Sequence, residues 1–136
     1  MPSSRGKTVD PAWVPPPLHE LEAEVMDVVW RLDEASVRDV MASVNAATGR
    51  DRAYTTYMTI MGRLDGKGML SRRREGKTDL YTPSYTREQY ADLRAETELE
   101  SVVDQYGDVA LAHIARRMAA LDPQRRRALQ RLARRS

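Results

Sequence analysis

Residues 54–83 read YTTYMTIMGRLDGKGMLSRRREGKTDLYTP and decide the fold of this chain. The first half predicts a helix that begins near residues 54–55, because its apolar residues recur at helical spacing. These inward-facing residues are Tyr57, Ile60, Met61 and Leu64. Gly66 and Gly68 are expected to end the helix. The second half predicts a β-hairpin, because two strand-like segments flank a short loop with glycine at residues 75–77.

Two more helices are predicted upstream of this segment. The first covers residues 18–32, with Pro17 at its start, an apolar stripe and several glutamates in its first turns. The second begins at Ser36, which forms a capping-box pattern with Asp39, and ends at Gly49. Three helices followed by a basic hairpin predict a winged helix-turn-helix, whose third helix enters the major groove of DNA.

After Pro83 the pattern changes to three helices with narrow apolar stripes. Thr86 and Gln89 form a capping box for a helix of some twenty residues, Gly107 breaks it, and Asp122-Pro123 starts the last helix. Such helices cannot build a sufficient core alone, so we expect them to interlock with a second copy of the chain. The expected dimerisation residues are Leu93, Leu99, Val103, Tyr106, Leu111, Ile114, Met118, Leu129 and Leu132.

The chain therefore divides into three parts. Residues 1–17 hold five of the seven prolines and predict a disordered, proline-rich arm, from which Trp13 could dock on the body. Residues 18–83 form the winged-helix DNA-binding domain, and residues 84–136 form a helical dimerisation domain. The predicted fold class is mainly α with one small β-hairpin.

Composition argues against several classes of protein. Cysteine is absent, so we expect neither a disulfide framework nor thiol chemistry. No apolar run reaches the ~18–20 residues of a membrane helix, and no signal peptide is recognisable, so a cytoplasmic location without membrane attachment is expected. His19 and His113 are far apart in sequence, and no serine has a base at a recognisable spacing. Neither a metal site nor a cofactor nor catalysis is expected.

The net charge is only +2 and is unevenly distributed. Residues 50–82 and 111–136 are basic, whereas residues 18–49 and 83–110 are acidic. The first basic block contains the predicted third helix and hairpin, so we expect it to meet DNA phosphate. The second has two interpretations: a second DNA site, or ion pairing with the acidic helix of residues 83–110, within one chain or across a dimer. The sequence favours ion pairing, since such runs are usually solvated or paired.

Threonines dominate the outward side of the predicted third helix. A threonine offers a hydroxyl for hydrogen bonds to bases and a methyl group for the methyl of thymine. Tyr54 and Arg63 could contact phosphate. On a strand successive side chains alternate, so Arg72 and Arg74 should share one face and Arg73 the other. The expected DNA-binding residues are Tyr54, Thr55, Thr56, Thr59, Arg63, Arg72, Arg73, Arg74 and Lys77.

Two stretches carry a family resemblance: LHELEAEVMDVVWRL at residues 18–32 and AYTTYMTIMGRLDGKGMLSRRREGKTDLYTP at residues 53–83. They resemble the penicillinase repressor family (BlaI and MecI type, with copper-responsive CopY repressors as cousins), and the match extends over residues 18–121. The most specific part is the second stretch, with its Arg-Leu and Lys-Gly pairs and a wing that ends in Tyr-Thr-Pro.

The resemblance implies a homodimeric transcriptional repressor on pseudo-palindromic operator DNA. It also implies a β-lactam-resistance or cell-envelope-stress regulon, and release by an inducing signal such as a sensor-activated protease that cuts the dimerisation domain. In the family that cut falls at an Asn-Phe bond. This chain has no phenylalanine, and Asn45 is its only asparagine. A cut near residues 106–109 remains open, and the copper sensors' cysteine pair is absent as well.

Two other functions stay open at this point. A winged helix can act as a protein-interaction module, although a basic wing is unlike the core of such an interface. A small-ligand-responsive regulator of the MarR kind is the second alternative. Regulators of that kind dimerise through both chain ends, and the proline-rich residues 1–17 leave little room for an N-terminal helix.

Overall fold

The computed structural model describes residues 13–135, which form six helices and a three-stranded sheet. The elements in chain order are α1 (Glu20–Leu32), β1 (Ala35–Ser36), α2 (Val37–Thr48), α3 (Tyr54–Gly66), β2 (Leu70–Glu75), β3 (Thr78–Pro83), α4 (Arg87–Tyr106), α5 (Asp108–Ala120) and α6 (Pro123–Arg134). The mainly helical class and the winged helix-turn-helix are thereby confirmed.

The predicted helix starts are set by side chains that cap free backbone amides. The backbone N–H of Asp39 donates to Ser36 Oγ at 3.1 Å, and the N–H of Ser36 donates to Asp39 Oδ2 at 3.0 Å, so the capping box of α2 is confirmed. Helix α1 begins at Glu20, three residues after Pro17, where the backbone N–H of His19 donates to Glu22 Oε1 at 3.0 Å.

The sheet has the order β1-β3-β2, with both pairs antiparallel. Strand β1 is only two residues long, too short for the sequence pattern to reveal, and it pairs with Leu80 and Tyr81 of β3. The predicted hairpin is confirmed, with Glu75 opposite Thr78 at its closed end. Gly76 has φ 63° while Lys77 does not have a positive φ, as in a two-residue turn of type II′.

The core lies where α1, α2 and α3 pack against one another and against the sheet. Fully buried residues come from all three helices, and the members with no exposed surface are Val25, Met26, Val29, Val40, Tyr57, Met61 and Leu64. This core fixes the orientation of α3, since that helix contributes one buried edge and leaves the rest of its surface outside.

Residues 13–17 pack on the body, so the disordered arm predicted for residues 1–17 is wrong over this part; residues 1–12 lie outside the described residues. The Trp13 ring stacks on Tyr85 with centroids 4.4 Å apart. Its Nε1 donates to the carbonyl oxygen of Lys67 at 3.3 Å. Tyr90 donates its hydroxyl to the carbonyl oxygen of Pro16 at 2.7 Å. Apolar burial and these hydrogen bonds together hold the arm in place.

Trp13 also fills the space above Gly68. Gly68 has φ +85°, and a Cβ built at this glycine would lie 3.0 Å from Trp13 Nε1. The turn after α3 therefore requires glycine both for its backbone conformation and for the approach of the indole ring.

The described chain separates into two compact units, and the division falls inside α4 between Arg94 and Ala95. This is eleven residues beyond the predicted boundary at residue 83. The first turns of α4 stay with the first unit because Arg87 pairs with Asp27 at 2.7 Å and the ring of Tyr90 lies 5.7 Å from that of Trp30. No helix among residues 13–135 is long and apolar enough to cross a membrane.

Candidate nucleic-acid interface

Helix α3 has one buried edge and one broad exposed face. Tyr57, Met61 and Leu64 are buried in the core. The exposed face carries Thr55, Thr56, Thr59 and Arg63, which the sequence assigned to DNA, and Tyr54 is exposed in the first turn, above the buried Tyr57. The structure therefore brings the predicted threonines together on one accessible surface of a single helix.

The N-terminal end of α3 is fixed by Asn45 of α2. Tyr57 donates its hydroxyl to Asn45 Oδ1 at 2.6 Å, and Asn45 Nδ2 donates to the carbonyl oxygen of Arg52 at 3.0 Å. The backbone N–H of Arg52 donates back to Asn45 Oδ1 at 3.2 Å. One amide side chain thus joins α2, the connecting loop and α3. The sequence analysis missed this role, although Asn45 lies one turn after Met41 on the inward side of α2, an unusual place for a polar residue.

The C-terminal end of α3 is tied to α1 by an ion pair between Lys67 and Glu22. Lys67 Nζ lies 2.7 Å from Glu22 Oε2, and only 4% of the Glu22 side chain is exposed. Burial alone would raise the pKa of Glu22, but the hydrogen bonds from Lys67 and from the backbone of His19 outweigh it and hold the pKa below its usual value. The carboxylate therefore stays ionised while it anchors the helix.

Two further residues extend the exposed surface of α3, and the sequence analysis did not single them out. Arg38 of α2 places its guanidinium 5.2 Å from the centre of the Tyr54 ring, in cation–π geometry. Met58 is 47% exposed, although methionine is commonly a core residue. The first adds positive charge near the start of α3, and the second adds an apolar group to a face of hydroxyls.

The wing, β2 and β3, shows the predicted alternation of its arginines. Arg72 and Arg74 share one face, because their guanidinium groups lie 3.9 and 3.3 Å from the carboxylate of Asp79. Arg73 lies on the other face and pairs with Glu34 at 3.1 Å and with Glu75 at 2.7 Å. This alternation of the three side chains is confirmed.

The carboxylates that pair with the wing arginines determine how much positive charge each arginine has available for a phosphate. The hydrogen bonds that Arg73 donates to Glu34 and to Glu75 raise the pKa of Arg73 and engage its guanidinium on two sides. Arg72 and Arg74 share one carboxylate, so the pair keeps excess positive charge. Lys77, at the tip of the hairpin, forms no ion pair with any residue in the described range. Arg72, Arg74 and Lys77 are therefore better placed than Arg73 for a phosphate.

The second unit holds all but one of the predicted dimerisation residues and leaves them at least partly exposed. Leu93 belongs to the first unit by the observed division. Half-buried members are Leu93, Val103, Ile114, Met118 and Leu129, and exposed members are Leu99, Tyr106, Leu111 and Leu132. An open apolar groove of about 750 Å³ runs between α4 and α5, and its lining includes Leu99, Val102, Tyr106, Val109 and Ile114. Among residues 95–135 only Ala110 is buried.

The C-terminal arginines do not pair with α4 inside one chain. Among the described residues no ion pair joins α6 to α4, so the intrachain form of the expected pairing is wrong. Arg126 instead caps the preceding helix, because its guanidinium donates to the carbonyl oxygens of Met118, Ala119 and Leu121 at 2.7–3.1 Å.

Comparisons with known proteins give a consistent result. The sequence profile of the penicillinase repressor family matches residues 18–135. The chain is 33% identical over 105 residues to the transcriptional regulator BlaI of Mycobacterium tuberculosis, an alignment that covers 76% of this chain and 75% of that protein. It is 26% identical over 84 residues to the penicillinase repressor of Bacillus licheniformis, covering 62% and 64%.

A solved structure is also similar in part. The Bacillus licheniformis BlaI monomeric form in complex with the blaP half-operator is 28% identical to this chain, with a TM-score of 0.46. The superposition covers 56% of this chain and 90% of that chain.

Proposed function

This chain belongs to the penicillinase repressor family of DNA-binding transcriptional repressors, and we propose that it acts as a homodimer on a pseudo-palindromic operator. The observation that carries the proposal is the exposed face of α3, a helix anchored near its start by Asn45 and just past its end by Lys67. A recognition helix held in this way can present side chains to base edges without first having to be ordered.

Helix α3 is proposed to enter the major groove, with the wing on the phosphate backbone. The hydroxyls of Thr55, Thr56 and Thr59 would serve as donors or acceptors for base edges, and their methyl groups would meet thymine. Met58, exposed on the same helix, adds apolar surface for that contact. Tyr54, Arg63, Arg72, Arg74 and Lys77 would contact phosphate, with Arg73 a weaker candidate because two carboxylates hold it.

The second unit is proposed to form the dimer. Residues 95–135 bury almost no apolar side chain in one chain, and exposed side chains line the groove between α4 and α5. A segment of this size cannot form a stable core alone. Two-fold symmetric dimers are the commonest soluble assemblies, and they bury the same patch of both subunits. Such a dimer would place two α3 helices in half-sites one helical turn apart, or a multiple of it.

Control of a β-lactam-resistance or cell-envelope-stress regulon is proposed from family membership. Release would follow an inducing signal, and a sensor-activated protease is the candidate partner. The most suitable site for such a cut is the turn between α4 and α5. Tyr106 is 58% exposed and Val109 is 65% exposed, and Gly107 between them has φ 60°. An exposed turn between two helices is accessible to a protease.

Fluorescence anisotropy tests the operator proposal. A labelled fragment from immediately upstream of the gene is titrated with the full chain and compared with a scrambled fragment. We expect at least about a thousandfold preference for the promoter fragment and a stoichiometry of two subunits. The double variant Thr55→Ala/Thr59→Ala should lose most of that preference, since each base contact contributes about 1–3 kcal/mol. Gln124→Ala, an exposed change on α6, is the control and should bind as wild type.

Equal affinity of the wild type for both fragments would reject the operator proposal. A protein-interaction module would then be the better interpretation of the winged helix. If the threonine variant keeps the wild-type preference for the promoter fragment, α3 is not the element that reads the bases. Operator recognition by another part of the chain would remain possible.

A further inference from the structure

Helix α6 has two chemically different sides. Arg127, Arg131 and Arg134 are spaced i, i+4 and i+7, so they lie on one face. At ~100° per residue, Leu129 and Leu132 lie on roughly the opposite face. Leu129 is half-buried, whereas Leu132 and all three arginines are exposed. We call Arg127, Arg131 and Arg134 the arginine ridge.

The arginine ridge has no partner within the described chain. None of its three guanidinium groups forms a hydrogen bond or an ion pair with any of residues 13–135. Arg126 on the same helix shows the contrast, since it donates to three carbonyl oxygens at the end of α5. One arginine of α6 is therefore structural, and the three ridge arginines keep their full charge and all their donors for something outside the chain.

The ridge also points away from the side of α6 that a second copy would cover. A partner subunit buries apolar surface, and on α6 that surface is Leu129 and Leu132. The arginines on the opposite face then stay at the surface of the dimer. Ion pairing with the acidic α4 of the partner, one of the two forms of pairing that the sequence left open, would require this face to turn inward.

The spacing and type of these residues fit a run of phosphates. The ridge spans about 10 Å along the helix axis, from seven residues at ~1.5 Å each. Guanidinium groups bind phosphate oxygens with two parallel hydrogen bonds. An anionic lipid surface suits this helix less well, because a membrane-surface helix needs a large apolar face that often includes aromatic residues. The apolar face of α6 has two leucines and two alanines only.

We propose that the arginine ridge binds phosphates of duplex DNA that flanks the operator half-sites. The proposal rests on the operator-binding function above and extends it with a second, sequence-independent surface. The arginine ridge would increase the affinity for DNA without changing which bases are read, since phosphate contacts carry no sequence information.

The test compares two operator fragments, one limited to the half-sites and one with about 20 base pairs of flanking DNA on each side, long enough for further helical turns. The variant is Arg127→Gln/Arg131→Gln/Arg134→Gln, which keeps good helix formers at all three positions. Its matched control is Arg127→Lys/Arg131→Lys/Arg134→Lys, which keeps the charge. Binding is measured from 50 to 200 mM salt, and sedimentation gives the oligomeric state of each protein.

On the long fragment we expect the glutamine variant to bind about tenfold more weakly. The slope of log K against log salt should fall by about 0.9 for each phosphate that the variant no longer neutralises. The lysine control should keep most of the slope. On the short fragment the glutamine variant should bind as wild type. An unchanged slope on the long fragment overturns the proposal, as does an equal decrease in affinity on both fragments.

Two further outcomes also overturn it. If the glutamine variant dissociates to monomers, the arginines belong to the dimer interface. If it binds DNA as wild type but no longer binds vesicles of anionic phospholipid that the wild type binds, the ridge serves a membrane surface. A scrambled long fragment distinguishes failure of operator recognition from failure of the arginine ridge. If the wild type binds the operator and the scrambled fragment equally well, operator recognition is rejected. The salt dependence of the wild type and the glutamine variant on scrambled DNA still tests the ridge.

Discussion

The two units of this chain differ in how far they bury their apolar side chains. In the first unit, three helices and a sheet enclose side chains with no exposed surface, such as Met61 and Leu64. In the second unit, only Ala110 is buried among residues 95–135, and leucines as exposed as Leu99 (50%) remain at the surface. The comparison teaches that one unit encloses its apolar side chains within a single chain, whereas the other leaves most of them exposed, as the proposed dimer requires.

The largest expected effect tests whether the first unit is complete. Leu64→Ala removes a fully buried side chain from the core and should lower the free energy of unfolding by about 2–5 kcal/mol. Both tryptophans, Trp13 and Trp30, lie in the first unit, so denaturation followed by tryptophan fluorescence reports on this unit. Leu132→Ala, at a leucine that is 58% exposed, is the control and should leave this transition unchanged. If both variants lower the free energy of unfolding by similar amounts, the first unit does not fold independently of the second.

The next effect tests whether the second unit is an interface. Leu99→Ala should weaken dimerisation by about 2 kcal/mol per subunit, because it removes a leucine that association would bury. Leu32→Ala, at a leucine that is 41% exposed in the first unit, is the matched control. Sedimentation equilibrium measures the dissociation constant of each protein. A dimer that is unaffected by Leu99→Ala would place the interface elsewhere.

A smaller effect concerns the polar contact that holds α3 within the first unit. Tyr57→Phe removes the hydroxyl that donates to Asn45 Oδ1 and should cost about 1 kcal/mol of stability. Tyr54→Phe removes an exposed hydroxyl from the same helix and should cost much less. Urea denaturation of the two variants compares them directly. Equal stability would mean that Asn45 does not need Tyr57 in order to fix the loop.

The smallest expected effect is a dependence of stability on pH that belongs to the first unit alone. Because the pKa of Glu22 is lower in the folded chain than its ordinary value of 4.5, the Glu22 carboxylate contributes stability above that value. The contribution is lost as the pH falls through the folded pKa. The stability difference between wild type and Glu22→Gln, followed from pH 7 to pH 3 by thermal denaturation, should therefore shrink on the acid side. A difference that is constant with pH would contradict this role of Glu22.

Local patterns predicted the elements of the first unit well. The capping box of Ser36 and Asp39 and the hairpin around Gly76 each depend on residues close together in sequence, so the sequence contains the information. The exposed threonines of α3 followed in the same way from helical spacing. The sequence therefore predicted contacts within one element and contacts between elements that are adjacent in sequence.

Features that depend on distant residues were not predicted. Arg73 meets Glu34, 39 residues away, so its charge is partly neutralised by an acid that strand alternation cannot reveal. The arm was expected to be disordered, with docking of Trp13 as an open alternative, and the partner that holds it in place, Tyr85, was not predicted. The role of Asn45 was missed for the same reason, since its partners lie in a loop and in the next helix.

The contact between Trp13 and Gly68 has a consequence for how this sequence can evolve. A side chain at Gly68 would meet the indole ring, and it would also face a φ of +85° after that ring had gone. Replacing Trp13 removes only the first obstacle. The two positions are therefore coupled in one direction. Loss of the tryptophan leaves the glycine free to stay, whereas a side chain at Gly68, 55 residues away from Trp13, also requires the indole ring to shift by a few tenths of an ångström.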